Sequence, residues 1–266
     1  MFHLARYYAV EIDGYAIMAN HFHLAVYFDP TVAQTWSADE VAQRWVDAYP
    51  PKADETGFVD EAHKVTARIA LLANPDLLEA RRQALGSLSH FMKNLKQPIA
   101  RRANIEDGCT GHFFEGRFYS GALLNPSALL ACLAYIDLNP IRAGIAMSLS
   151  DCELTSIVER IKRATREPAL TQQRLQPLAS GIENLRSQPS RFDITLSGYT
   201  KILVEAIAAI QRTNPIGMQS DTGRSVWSEQ IAALGRRQKA YGTGEQLQAW
   251  AKAAKQHWIW GTPLPG

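Results

Sequence analysis

The chain has 266 residues, of which 46% are hydrophobic and 20% charged, with a formal net charge of +2. That balance, without a low-complexity block, excludes a disordered chain, and the length suits one catalytic domain plus an appendage, since domains cluster near roughly 100 to 150 residues. The longest apolar stretch, Ala128 to Ile136, is far short of the roughly 20 residues a bilayer needs, and no signal peptide opens the chain, so the expected compartment is the cytoplasm.

Residues 11 to 28, EIDGYAIMANHFHLAVYF, are rich in β-branched, aromatic and aliphatic side chains and predict a β-hairpin or one bulged strand, with Ala19-Asn20 as the turn or bulge. From about Ser37 to Leu85 the apolar spacing is helical, interrupted at Pro50-Pro51 and Asn74-Pro75, and predicts a helical insertion. Ser87 to Arg102 continues as a basic amphipathic segment kinked or broken at Pro98. Gly108 and Gly111 mark a loop, and FFEGRFYSGALL reads as a strand. Asn125 suits a helix N-cap and Pro126 the first helical position, so SALLACLAYIDL predicts a helix that stops near Asn139, ahead of Pro140. From about Asp151 the pattern is helix after helix, near Ser156 to Ala164, Leu196 to Arg212, Val226 to Lys239 and Gly244 to Trp258, with residues 170 to 194 as a linker. The domain reading is a unit over 1–150 and a helical C-terminal region over 151–266.

In a strand side chains alternate, so His21 and His23 project to one side and can converge on a metal ion. With seven histidines in 266 residues, such a pair arises by chance in roughly one chain in five or six, so alone it does not define a site. The helix from Pro126 is apolar nearly all round and is expected to be buried; Tyr135 and Asn139 share one of its faces, while Asp137 lies opposite. A buried phenol and carboxamide either satisfy internal hydrogen bonds or address a site. Lys93, Lys96, Arg101 and Arg102, followed by His112, Phe113, Phe114, Arg117, Phe118 and Tyr119, combine phosphate-neutralising cations with rings that stack unpaired bases. A solvated helix face beside a core strand fits the same residues. Cys109, Cys132 and Cys152 match neither a disulfide framework nor a zinc knuckle and read as reduced thiols. Trp227, Trp250, Trp258 and Trp260 on the C-terminal helices serve either core packing or a DNA-binding or oligomerisation module.

Taken in order, GYAIMANHFHL, GHFFEGRFYSGALL and LLACLAYIDLNPIRAGIA resemble the REP-associated tyrosine transposases and their insertion-sequence relatives, the single-tyrosine HUH transposases. The likeness extends to PIARRANIEDGCTG and TSIVERI and thins beyond about residue 170. The resemblance implies an α+β, ferredoxin-like domain in which an antiparallel sheet flanked by helices carries the histidine pair. By position, His21 and His23 become metal ligands, Asn139 the third ligand and Tyr135 the nucleophile. The implied cofactor is Mg²⁺ or Mn²⁺. The implied partner is single-stranded or hairpin DNA, bound by a monomer or homodimer, with Lys93, Lys96, Arg101, Arg102 and Arg117 on its phosphates. Family members carry a further stretch, with a first central strand, before the point where FHLARYYAV begins as a helix. The resemblance therefore implies a sheet short of its N-terminal strand, a chain prone to associate, and activity that depends on the missing part. Two other functions fit the same residues: a non-catalytic, hairpin-binding transposase remnant, and an unrelated metal-dependent phosphoesterase.

Overall fold

The structure, a computed structural model, describes residues 1–51, 60–182, 191–212, 226–236, 238–255 and 263–264. In chain order its elements are α1 (Phe2–Ala5), β1 (Val10–Ile17), β2 (Phe22–Phe28), α2 (Pro30–Thr35), α3 (Ala38–Ala48), α4 (Glu61–Leu72), α5 (Pro75–Leu85), α6 (Leu88–Glu106), β3 (Ala122–Leu123), α7 (Pro126–Asp137), α8 (Asn139–Arg142), α9 (Ser156–Arg166), β4 (Ala179–Ser180), α10 (Leu196–Arg212), α11 (Val226–Leu234), β5 (Ala240–Tyr241) and α12 (Gly244–Ala253). The protein is therefore α+β, with helices predominating. Short polar side chains fix many helix starts: Asp29, Ser37, Asp60, Asn74, Ser87, Asn125 and Thr243 each accept a first-turn backbone N–H. Each such cap contributes about 1 kcal/mol and sets where the helix begins.

Two compact units make up the chain. One comprises Met1–Ile12, Val26–Phe118 and Leu178–Ser187; the other comprises Asp13–Ala25, Tyr119–Pro177 and Gln188–Gly266. One sheet has the strand order β2-β1-β4, and β4 pairs antiparallel with β1 through Glu11 opposite Ser180 and Ile12 opposite Ala179. β1 and β2 form the expected hairpin; its turn is closed by the Met18 N–H donating to the His21 carbonyl at 2.8 Å. β1 is thus the central strand of this sheet, flanked by β2 and β4.

In the first unit the helical insertion divides as its prolines predict, into α3, α4 and α5, with residues 52–59 outside the described part. Pro98 does not end its helix: α6 runs through it to Glu106. The FFEGRFYSGALL segment is a correction, because only Ala122–Leu123 is strand. Its aromatic part is tied to α6 instead, where Lys96 donates to the Gly116 carbonyl at 2.9 Å and lies 4.3 Å over the Phe114 ring. The linker over 170–194 is a second correction. Leu175, Leu178, Ile182 and Phe192 are buried in it, and it supplies β4.

The second unit has a core of Ala16, Ala25, Leu133, Ala134, Ile136, Leu138, Ile157, Leu175, Tyr199, Leu203 and Ile231 with their neighbours. β3 pairs parallel with β5, and Trp227 packs beside Ala128, Ala131, Leu234 and Tyr241, in keeping with a core role. The helix expected to reach Lys239 ends at Leu234, and the one expected to reach Trp258 is described to Ala253; Trp258 and Trp260 lie outside the described residues. All three cysteines are free thiols.

Candidate metal and nucleophile site

The site is built within the second unit, from the hairpin turn and the α7–α8 corner. His21 closes the turn and His23 follows on β2, so strand alternation sends both rings to one side. Their Nε2 atoms stand 3.1 Å apart, with ring centroids at 4.8 Å. The His21 Nδ1–H donates to the Asn20 Oδ1 at 2.6 Å. That bond places a proton on Nδ1 and leaves Nε2 facing His23, an arrangement in which a metal-binding imidazole is held through its other nitrogen.

α7 begins as the sequence predicts. Asn125 Oδ1 accepts the Ala128 N–H at 2.7 Å, and Pro126 occupies the first turn. The helix buries Ala128, Ala131, Leu133, Ala134 and Ile136 and ends at Asp137. Pro140 then fills the first turn of α8, where its missing N–H costs nothing, and Asn139 opens that helix. Gly144 closes the corner at φ +71°, a conformation that favours glycine, and Ile145 and Ala146 donate back to the Pro140 carbonyl. This corner accounts for the Asn-Pro and Arg-Ala-Gly parts of the motif.

Because the chain resumes as helix, Tyr135, Asn139 and Arg142 keep one face at positions i, i+4 and i+7. Asn139 is buried, and its Nδ2 lies 3.2 Å from His23 Nε2. Half-buried Tyr135 meets the His23 ring edge-on at 5.7 Å, and the Arg142 guanidinium lies 4.9 Å over the Tyr135 ring. The four residues expected to act together are thus brought together. Among the described residues no cluster of three or more histidine, cysteine, aspartate or glutamate side chains gathers. The candidate donors are two imidazoles and one carboxamide, and a half-turn of the Asn139 amide exchanges Nδ2 for Oδ1, the atom that binds a cation.

Asp137, on the opposite face of α7, has a structural part. It is fully buried and accepts from Ser156 Oγ at 2.6 Å, the Ile157 N–H at 2.9 Å and the Tyr199 hydroxyl at 2.6 Å. Burial holds its carboxyl above the usual range, against the opposing pull of these three donors.

The basic residues belong to the first unit. Lys93, Arg101 and Arg117 are exposed, Lys96 is held by Gly116 and Phe114, and Arg102 pairs with Glu106 at 2.8 Å. The sequence marked Asn20 only as part of a turn and gave no site role to Arg142 or to Gly235, which sits beside Tyr135. The i, i+4, i+7 spacing was the available signal for Arg142, and Pro140 hid it by reading as a helix end. No family model, characterised protein or solved structure matches this chain.

Proposed function

We propose that this chain is a DNA strand-transfer enzyme of the single-tyrosine HUH transposase kind, acting on single-stranded DNA beside a hairpin, such as a repetitive extragenic palindrome. The observation that carries the proposal is the meeting of His21, His23, Tyr135 and Asn139 at one place, with His23 and Asn139 116 positions apart in sequence. A hairpin that bears the histidine pair, with the tyrosine helix packed beside it, supports the ferredoxin-like HUH architecture.

His21, His23 and Asn139 would hold Mg²⁺ or Mn²⁺. The two imidazole nitrogens stand 3.1 Å apart, close enough for both to reach one ion. Nitrogen donors favour Mn²⁺ of the two. When bound, the cation supplies Lewis-acid polarisation of the scissile phosphate.

The chain's own residues account for the covalent step. The Tyr135 oxygen bonds to phosphorus as the P–O3′ bond breaks; the phenol proton passes to solvent, and the 3′ oxygen takes up a proton to leave as a hydroxyl. The resulting 5′-phosphotyrosine keeps the phosphodiester energy, so rejoining by a 3′-hydroxyl needs no nucleotide cofactor. The exposed Lys93, Arg101 and Arg117 add phosphate contacts that weaken as salt rises.

The test is a fluorescent single-stranded hairpin incubated with protein and Mn²⁺, with products resolved under denaturing conditions. Wild type should give a protein-linked label, whereas Tyr135→Phe should give none and His21→Ala or His23→Ala should lower it by at least about 100-fold. Absence of adduct from wild type and Tyr135→Phe alike would sink the proposal. Cleavage of small phosphodiesters without any protein-linked product would favour a different phosphoesterase.

A further inference from the structure

We infer that Arg142 is the phosphate-binding cation of this site, gripping the non-bridging oxygens of the scissile phosphate and holding phosphorus over the Tyr135 hydroxyl. The inference rests on the reading of Tyr135 as nucleophile and adds a residue to it. α8 carries Arg142 on the same face as Tyr135 and Asn139, and its guanidinium carbon lies over the phenol ring at 4.9 Å from the centroid. A cation–π contact uses none of the guanidinium N–H donors, and that fork of donors can bind two phosphate oxygens at once.

Two further observations point the same way. Arg142 is exposed, and among the described residues no carboxylate pairs with it, whereas Arg102 and Arg163 are each paired with a glutamate one turn away. Gly235, just beyond α11, also lies beside the pair: a Cβ there would stand 3.4 Å from Arg142 Nη2 and 3.7 Å from Tyr135 Cε2, so a longer side chain would reach both groups. An exposed cation over the nucleophile's ring, with no carboxylate partner among the described residues, is placed to meet the anion that the nucleophile attacks.

The experiment compares wild type, Arg142→Ala and Arg142→Lys in the full chain with the hairpin substrate and Mn²⁺. Arg142→Ala should form adduct about 100-fold more slowly, and Arg142→Lys, which keeps charge but loses the fork, should fall between. A binding measurement separates phosphate contact from a structural effect. In EDTA, wild type should bind the all-phosphate oligonucleotide about 10-fold more tightly than one carrying a neutral methylphosphonate at the step that wild type cleaves. Arg142→Ala should bind the two equally. Adduct formation by Arg142→Ala at the wild-type rate, or retained discrimination against the methylphosphonate, overturns the assignment while the nucleophile reading stands. No adduct from wild type overturns both.

Discussion

Tyr135 and Asp137 stand two residues apart on one helix and meet opposite environments, so substitutions at the two should separate chemistry from stability. Asp137 is the common acceptor for Ser156, Ile157 and Tyr199 in a buried interior. Asp137→Ala strands three donors, each costing about 1 to 3 kcal/mol when left unpaired, and should lower unfolding stability by about 3 kcal/mol or more. Tyr135→Phe removes one oxygen from a half-buried ring and should cost under about 1 kcal/mol while abolishing the adduct. Urea denaturation of the two variants checks this; an Asp137→Ala midpoint equal to wild type would refute the buried-acceptor account. The division was legible in the sequence, because four-residue spacing put Tyr135 with Asn139 and left Asp137 on the other side. The partners of Asp137 were not, since Ser156 and Tyr199 lie 19 and 62 positions away and carry no local pattern.

At the scale of elements, the hairpin and α7 must pack closely for the histidines to reach Tyr135, and Gly14 permits it. A Cβ at position 14 would lie 2.5 Å from Leu133 Cδ2 and 3.1 Å from Ser156 Oγ, both fully buried residues. Strand propensity and packing therefore predict opposite signs for Gly14→Val. Propensity favours valine within β1. Overpacking forces Leu133 and α7 away from the hairpin at a cost of about 1 to 3 kcal/mol, and this term should win because Leu133 is fully buried in a close-packed core. A lower melting temperature together with slower adduct formation is the expected result; unchanged stability and unchanged rate would show that α7 does not depend on this contact. Elements with a strong repeat or cap were readable in advance: the hairpin, the proline-divided insertion, α7 and α10. β4 was not, because two residues contain no alternation, and its strand character comes only from pairing with β1. The aromatic segment after Gly111 misled for the converse reason. Its residues favour strands, but Lys96 and the α6 surface supply its contacts where a neighbouring strand was expected.

At the scale of the whole molecule, each unit is gathered from three separate stretches of chain, which no pass along the sequence can anticipate. The first unit depends on bringing residues 178–182 back to the N-terminal segment, a closure of some length that slows folding and must be repaid by contacts at the end. Those contacts are close. The Leu178 N–H donates to the Ile12 carbonyl at 2.7 Å and the Gly181 N–H to the Val10 carbonyl at 3.0 Å. The buried Arg44 guanidinium donates through Nη1 to the carbonyls of both Arg6 and Gly181, at 3.1 and 2.9 Å. Gly181 is the point of nearest approach: a Cβ there would fall 2.0 Å from the Tyr8 carbonyl oxygen and 2.4 Å from that of Ala5, backbone atoms that a rotamer change cannot move aside. Gly181→Ala should therefore displace β4 from β1, loosen the Arg44 clamp and leave the strand edge open to other chains. The expected outcome is a stability loss of at least about 2 kcal/mol with increased self-association, read by urea denaturation and light scattering. A variant that stays as stable and as dispersed as wild type would show that the returning strand does not hold the first unit together.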